Sequence, residues 1–234
     1  KENYVTYANE SKIKCLDVGV GANCIYPLIG NKEYGWSFIG SDIDAVSLGS
    51  ADKIIELNQF LKGRIELRLQ NNARNIFKGI IRKAELIDLT ICNPPFHASL
   101  EDAQSGTLRK LNNLTRTKNT KTTLNFGGQG NELWCNGGEE KFIEDLIHQS
   151  MQFATSCLWF STLVSKKSNL KSAYDELRKA EAVEIKTIPM GQGNKTSRIV
   201  AWTFQVKEQQ KSWMNERWNQ PRKPSRELEC ILPP

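Results

Sequence analysis

The chain has 234 residues, 39% of them hydrophobic and 25% charged, the proportions of a soluble globular domain rather than of a disordered or membrane-embedded chain. Lys and Arg number 32 against 26 Asp and Glu, a formal net charge of +6 that suits a polyanionic partner. The six cysteines (Cys15, Cys24, Cys92, Cys135, Cys157, Cys230) show no Cys-x-x-Cys spacing, and no signal peptide or apolar run of bilayer length is present. These features argue against zinc, disulfides and membrane insertion, and they predict a cytoplasmic, metal-free protein with reduced thiols.

In chain order, Lys12 to Val18 predicts a short buried strand, followed at once by Gly19-Val20-Gly21-Ala22-Asn23 and a helix start. Asp17-x-Gly19-x-Gly21 after a strand has the form of a nucleotide-cofactor loop. The glycines let the backbone approach a ligand, and the acid anchors the loop or the ligand's amino-acid end. Asp17, Gly19, Gly21 and Asn23 are therefore cofactor-binding candidates, although a ligand-free Gly-rich β-turn-α connection has the same pattern. Position 24 is Cys, so the dinucleotide fingerprint Gly-x-Gly-x-x-Gly is not met. A second strand, Trp36 to Gly40, leads into Ser41-Asp42-Ile43-Asp44. Asp42, about twenty residues past the glycines and first after the strand, suits a bidentate grip on ribose hydroxyls. Asp44 suits the N-cap of a helix running from Ala45 to Leu61. Arg64 to Leu69 alternates polar and apolar as a partly exposed strand does. At its end Gln70-Asn71-Asn72 is either a plain polar loop or, through Asn71, a lip for an adenine. Ile76 to Ile81 then leads into the central strand.

That strand is Leu86 to Thr90, and Ile91-Cys92-Asn93-Pro94-Pro95-Phe96-His97 ends it. Each proline fixes φ at about −65° and lacks a backbone donor, so the turn is stiff. The Asn93 side-chain oxygen and the Pro94 carbonyl can both accept from one planar amino group, with Phe96 laid against the base. Asn93, Pro94 and Phe96 are thus catalytic candidates. Asn93 is also a cofactor-binding candidate, and Pro95 and His97 are candidate substrate contacts. The competing reading is a surface turn with an Asn cap. All the candidate loops fall at strand C-terminal ends, where open α/β sheets bind ligands.

A polar insertion follows at about 98–138. Between 101 and 125 it carries Arg109, Lys110, Arg116, Lys118 and Lys121 against Glu101 and Asp102. It is either a solvated loop or a phosphate-tracking arm in which Arg109, Lys110, Arg116 and Lys118 position a polynucleotide without reading its sequence. Gly127-Gly128-Gln129-Gly130 and Gly137-Gly138-Glu139 bracket a segment that could hinge as a lid. Glu139 to Phe153 predicts an amphipathic helix, Leu158 to Val164 a strand, Leu170 to Ala180 a helix, and Val183 to Ile188 with Ser197 to Phe204 a final strand pair joined by Pro189 to Thr196. The tail, 207–234, holds Trp213, Arg217, Trp218, Arg222, Lys223 and Arg226 among several prolines and is a docking strap or an unstructured end.

Six stretches together carry a family likeness: Asp-Val-Gly-Val-Gly-Ala-Asn-Cys-Ile-Tyr-Pro-Leu-Ile-Gly (17–30), Cys-Asn-Pro-Pro-Phe-His (92–97), Leu-Asn-Phe-Gly-Gly-Gln (124–129), Glu-Leu-Trp-Cys-Asn-Gly-Gly-Glu (132–139), Trp-Phe-Ser-Thr-Leu-Val-Ser (159–165) and Arg-Ile-Val-Ala-Trp-Thr-Phe (198–204). They resemble the bacterial ribosomal RNA large subunit methyltransferase F family, named for N6-methylation of one adenine of 23S rRNA. The resemblance spans roughly 13–205. It implies a class I methyltransferase (Rossmann-like) three-layer αβα sandwich, with a seven-stranded, mostly parallel sheet and an antiparallel last strand. It further implies S-adenosylmethionine as cofactor, S-adenosylhomocysteine as product, and a monomer acting on ribosomal RNA or a large-subunit assembly intermediate. On this reading 1–206 is the methyltransferase domain, and a family segment preceding the first strand is expected to be missing, since the chain opens on Lys1. Similar Asn-Pro-Pro-aromatic turns serve enzymes that methylate adenine in DNA or another RNA, or a protein glutamine at N5. The glutamine enzymes usually carry Tyr where Phe96 stands. A non-catalytic RNA-binding assembly factor on the same scaffold is the alternative of another class.

Overall fold

The computed structural model describes residues 12–95, 137–192 and 195–218. Seven strands form one sheet: β1 (Lys14–Val18), β2 (Ser37–Asp42), β3 (Ile65–Leu69), β4 (Ile87–Cys92), β5 (Cys157–Val164), β6 (Glu184–Gln192) and β7 (Lys195–Thr203). Their order is β3-β2-β1-β4-β5-β7-β6. β1 to β5 run parallel, and β7 lies antiparallel between β5 and β6. This is the expected seven-stranded sheet with its antiparallel last strand. The chain builds β1, β2 and β3 outward in one direction, then crosses back to place β4 on the other side of β1. A crevice therefore opens beyond the ends of β1 and β4, as it does wherever strand order reverses in an open α/β sheet.

Alternation along the strands makes the three layers. Leu16, Val18 and Ile39 pack on one face with Ile143, Leu146 and Ile147 of α3 (Gly138–Ser150) and with Ala173 and Leu177 of α4 (Asn169–Lys179). Their sequence neighbours Cys15 and Phe38 turn to the other face, against Leu48, Ala51 and Ile55 of α2 (Ala45–Leu57) and Leu28 of α1 (Ile25–Tyr34). Successive side chains must point to opposite sides of a pleated strand, so a run that is apolar throughout needs cover on both faces. Gly30 lets α1 settle on the sheet, because a Cβ there would overlap the Phe38 ring.

Three boundaries differ from the sequence reading by three residues or more. The helix expected to reach Leu61 ends at Leu57; Asn58 turns extended (φ −114°), its side chain donates to the Ile54 carbonyl, and a 3₁₀ turn over Gln59–Leu61 follows. The helix expected to reach Phe153 ends at Ser150, before another 3₁₀ turn. The expected connector Pro189 to Thr196 mostly belongs to the hairpin strands themselves. Pro189 opposite Arg198 is tolerated because β6 is the sheet's edge and needs no donor on its outer side.

The region expected to be tail begins with a further helix, α5 (Lys207–Arg217). Its first turn is tied to Glu184 of β6 by Lys207 Nζ at 2.6 Å and Gln210 Nε2 at 3.2 Å, and its last turn docks on Asp88, second residue of β4. Asp88 accepts hydrogen bonds from Lys14 N at 2.7 Å, Trp213 Nε1 at 2.6 Å, Trp218 Nε1 at 3.0 Å, and Arg217 Nε and Nη2, both at 2.9 Å. Burial raises the Asp88 carboxyl, but the bonds from Arg217, the Lys14 amide and Trp213 outweigh it and hold the group below its ordinary range. Among the described residues, no helix is long and apolar enough to cross a membrane.

Candidate active site

The register brings the sequence candidates together. Val18 of β1 pairs with Cys92 of β4 on one side and with Ser41 of β2 on the other. One step further along each strand stand Gly19, Asn93 and Asp42. In strand order they make a row of Asp42, Gly19 and Asn93 at the C-terminal ends of three adjacent strands. Asp42 is the last residue of β2 rather than the first after it.

The glycine loop is folded back over the end of β2. The amides of Gly19 and Val20 both donate to the Ser41 carbonyl, at 2.9 and 3.0 Å. Gly21 N donates to Asp42 Oδ2 at 2.9 Å, while Asp42 Oδ1 accepts from Asp44 N at 3.0 Å. Gly19 and Gly21 have φ of +74° and +62°, backbone that a side chain would strain. Gly40 completes the seat: a Cβ there would come within 2.9 Å of Val20 Cγ2. Cys24, standing where the dinucleotide fingerprint has its last glycine, takes a left-handed conformation (φ 49°) and caps α1 without a side-chain hydrogen bond. Asp44 caps α2, accepting from Val46 N at 3.0 Å and Ser47 Oγ at 2.9 Å.

Asp17 behaves differently from every other acid in the sheet. It is 1% exposed, and neither of its carboxylate oxygens has a hydrogen-bond partner among the described residues. Burial, and after it the Asp42 carboxylate, push it up from an ordinary 3.8 to about 8. Its field reaches several neighbours, Cys15 among them. Burial and then Asp17 raise the thiols of Cys92 and Cys24, the latter to about 12, and likewise the phenol of Tyr26. A buried carboxylate without a partner is costly unless a cation or donor arrives. A cationic ligand entering over the loop would supply one, so the residues present fit a positively charged cofactor.

Asn93 is exposed, Pro94 buried and Pro95 half-buried. The turn follows directly on buried Cys92 at the C-terminal end of β4. Asn23 and Asn71 are both exposed. Asn71 lies two residues beyond Leu69, the end of edge strand β3, so it flanks the row at its far side. Phe96, His97, Arg109, Lys110, Arg116 and Lys118 lie outside the described residues, as does most of the polar insertion.

Two groups that shape this edge escaped the sequence reading. Glu139, read as part of a glycine hinge and as the start of a helix, is 2% exposed and accepts from Ser165 N at 2.7 Å, Lys166 N at 3.2 Å and Asn169 Nδ2 at 2.6 Å. It ties the first turn of α3, where the insertion ends, to the loop after β5. Arg68, read as a solvent-facing strand residue, is 8% exposed and bridges Glu85, Glu66 and the Ile80 carbonyl. Neither has a local sequence signal beyond a charge beside a strand or helix end. Glu144, His148 and Glu176 bring ligand atoms within 4.8 Å of one another on α3 and α4. Lys141 and Lys179 already pair with those carboxylates, away from the strand ends.

A family model described as RNA methyltransferase matches residues 3–206. A Cytophaga hutchinsonii protein named Ribosomal RNA large subunit methyltransferase F is 61% identical over 206 residues, covering 88% of this chain and 64% of that protein. A Photobacterium profundum protein of the same name is 48% identical, covering 94% of this chain and 70% of its own length. The chain belongs to the ribosomal RNA large subunit methyltransferase F family of RNA methyltransferases. It spans about two thirds of these relatives' length. Among solved structures, the human Mettl16 catalytic domain in complex with the MAT2A 3′UTR hairpin 1 superposes with a TM-score of 0.68 at 28% identity, covering 83% of this chain and 65% of that one. The N-terminal domain of human METTL16 in complex with SAH gives 0.62 at 25% identity, covering 83% and 62%. The fold is thus that of the class I methyltransferases.

Proposed function

We propose that this chain transfers a methyl group from S-adenosylmethionine to the N6 amine of an adenine in large-subunit ribosomal RNA. The observation that carries the proposal is the row of Asn93, Gly19 and Asp42 at the switch point of the sheet. The strands that end in the Asn-Pro-Pro turn and the glycine loop are neighbours, and Asp17, which lacks a hydrogen-bond partner among the described residues, precedes that loop. The relatives' shared name and the human neighbours bound to an RNA hairpin or to SAH support the same substrate class and cofactor.

In this reading Asp17 offers its carboxylate to the cofactor's positive charge, and the Gly19–Asn23 backbone lies against the amino-acid end. Asp42, with lone pairs left after Gly21 N and Asp44 N are served, accepts the ribose hydroxyls. Asn71 flanks the adenine. S-adenosylmethionine supplies an activated methyl and its own leaving group, S-adenosylhomocysteine. The chain's task is then positioning. The Asn93 side-chain oxygen and the Pro94 carbonyl accept both N6–H donors, which draws the amine's lone pair out of the ring and aims it toward the methyl. Orientation of this kind contributes several kcal/mol, roughly 7–11 in the best model reactions. Phe96 stacks on the extruded base, worth about 1–3 kcal/mol. Pro95 and His97 shape the base's surroundings, and Arg109, Lys110, Arg116 and Lys118 track RNA phosphates.

The test is transfer of label from S-adenosylmethionine to ribosomal RNA, to DNA and to protein side by side, with N6-methyladenine as the expected product in ribosomal RNA alone. Label in glutamine or DNA would replace the substrate; cofactor binding without transfer to any acceptor would favour the assembly-factor alternative. Asn93→Ala is expected to lower turnover by roughly hundredfold or more while S-adenosylmethionine still binds. An active Asn93→Ala enzyme would remove Asn93 from the mechanism.

A further inference from the structure

Among the described residues, Asp17 is the one buried acid of the sheet whose carboxylate has no hydrogen-bond partner. Asp88 receives five donor groups, Glu139 receives three, and Asp42 binds two amides. Asp17 receives none among the described residues, with both oxygens sealed from solvent. The titratable groups around it compound the problem. From β2 the Asp42 carboxylate acts on it as a like charge. From the cofactor loop and α1 come Cys24 and Tyr26, from β4 Cys92, and from its own strand Cys15. All four are neutral acids whose ionisation Asp17 opposes. No cation from the described residues acts on Asp17. A lone negative charge in such a place is expelled by the simplest available route, which is to take up a proton.

We propose that Asp17 holds a proton in the ligand-free protein and surrenders it when a cationic cofactor seats on the glycine loop, so that Asp17 selects for a ligand carrying positive charge and its capture releases one proton. The inference rests on the S-adenosylmethionine reading and adds a specificity rule to it. A ligand that delivers an ammonium or sulfonium to Asp17 completes an ion pair in a low-dielectric site. A neutral nucleoside meets a neutral carboxylic acid and gains no such pair. Below neutrality, binding of the cationic ligand must work against protonation of Asp17, and its affinity falls by about tenfold per pH unit. Binding of the neutral nucleoside is indifferent to pH.

Two measurements decide it. Calorimetry at pH 6 to 7, where the ligand's own amine stays protonated, is repeated in buffers of different ionisation enthalpy to count protons. The probes are S-adenosylmethionine, S-adenosylhomocysteine and the neutral 5′-methylthioadenosine. We expect close to one proton released with S-adenosylmethionine and none with 5′-methylthioadenosine. Release with S-adenosylhomocysteine assigns the pairing to the ammonium, and its absence to the sulfonium; either outcome supports a charge-selecting Asp17. Carboxyl carbon NMR of the ligand-free protein should show one resonance titrating near pH 8, missing in Asp17→Asn and moved to lower pH in Asp42→Asn. S-adenosylmethionine binding with no proton released, or equal release with 5′-methylthioadenosine, overturns the inference and leaves the cofactor assignment standing. Failure of S-adenosylmethionine to bind at any pH overturns the cofactor assignment instead, and the NMR titration then decides by itself whether Asp17 holds the proton.

Discussion

Replacing Asp88 by Ala removes the acceptor that holds the C-terminal turn of α5, leaving the first turn tied to Glu184. Trp213 is 8% exposed, and its indole N–H, the Arg217 guanidinium, the Trp218 indole and the Lys14 amide would all lose their partner together. Breaking a buried ion pair by deleting one member costs about 3–5 kcal/mol, because the remaining charge is left uncompensated. At roughly 2–4 °C per kcal/mol for a domain of this size, the melting temperature should fall by about 6–20 °C. Asp88→Asn keeps one acceptor oxygen and should lose roughly half of that. Arg217→Ala leaves Asp88 its other donors and should cost about 1–3 kcal/mol. The double variant Asp88→Ala/Arg217→Ala should be less destabilised than the sum, by about 0.5–3 kcal/mol. Urea denaturation gives these differences, with cofactor affinity as the control. Asp88 lies five residues before Asn93 on an extended strand, about 16 Å from the candidate site, so affinity should be unchanged where the variant is folded. A wild-type denaturation midpoint in Asp88→Ala, or strict additivity with Arg217→Ala, would show that Asp88 does not anchor the C-terminal turn of α5.

Asp42→Ala should weaken S-adenosylmethionine binding by an order of magnitude or more, since it removes the proposed ribose acceptor and also frees the Gly21 amide that orders the loop; unaltered affinity in calorimetry would move the ribose contact elsewhere. Glu85 is raised by burial, but hydrogen bonds from Arg68, Lys14 and the Arg82 amide win and hold it at about 2, against an ordinary 4.5. Its folded value is depressed, so its stabilisation is full above 4.5 and is lost as pH falls toward 2; Glu85→Gln should be less stable at neutral pH and show a flatter acid transition in that window. The sign is opposite for Asp17, raised to about 8 from 3.8. Its neutral form is what the ligand-free fold accommodates, so that fold should lose stability as pH rises from 4 to 8, and thermal melts with Asp17→Asn as reference should show the slope disappear.

The elements that were legible in the chain are those whose signal is local. Buried runs such as Cys15–Val18 and Leu158–Val164, the glycines after β1 and the two prolines after β4 each restrict the backbone within a few residues, so strand, turn and candidate loop could be read without a partner in view. Their alternation from strand to helix also implies a parallel sheet. Boundaries were less legible where competing local interactions decide them. Asn58 ends α2 by bonding back to Ile54, and the final hairpin runs through Pro189 because β7 lies beside it, which no propensity of that segment foretells.

By itself, then, the sequence determined which residues could do chemistry: an Asp-x-Gly-x-Gly loop, an acid after the next strand and an Asn-Pro-Pro turn each owe their character to covalent structure and near neighbours. Only the tertiary structure decided which of them meet and what each meets. Strand order and register set Asn93, Gly19 and Asp42 in one row, tie the end of α5 to Asp88 across more than a hundred residues of chain, and leave Asp17 without a counter-charge among the described residues. Charge compensation is a property of three-dimensional distance and dielectric, and neither is written in the spacing of letters along the chain.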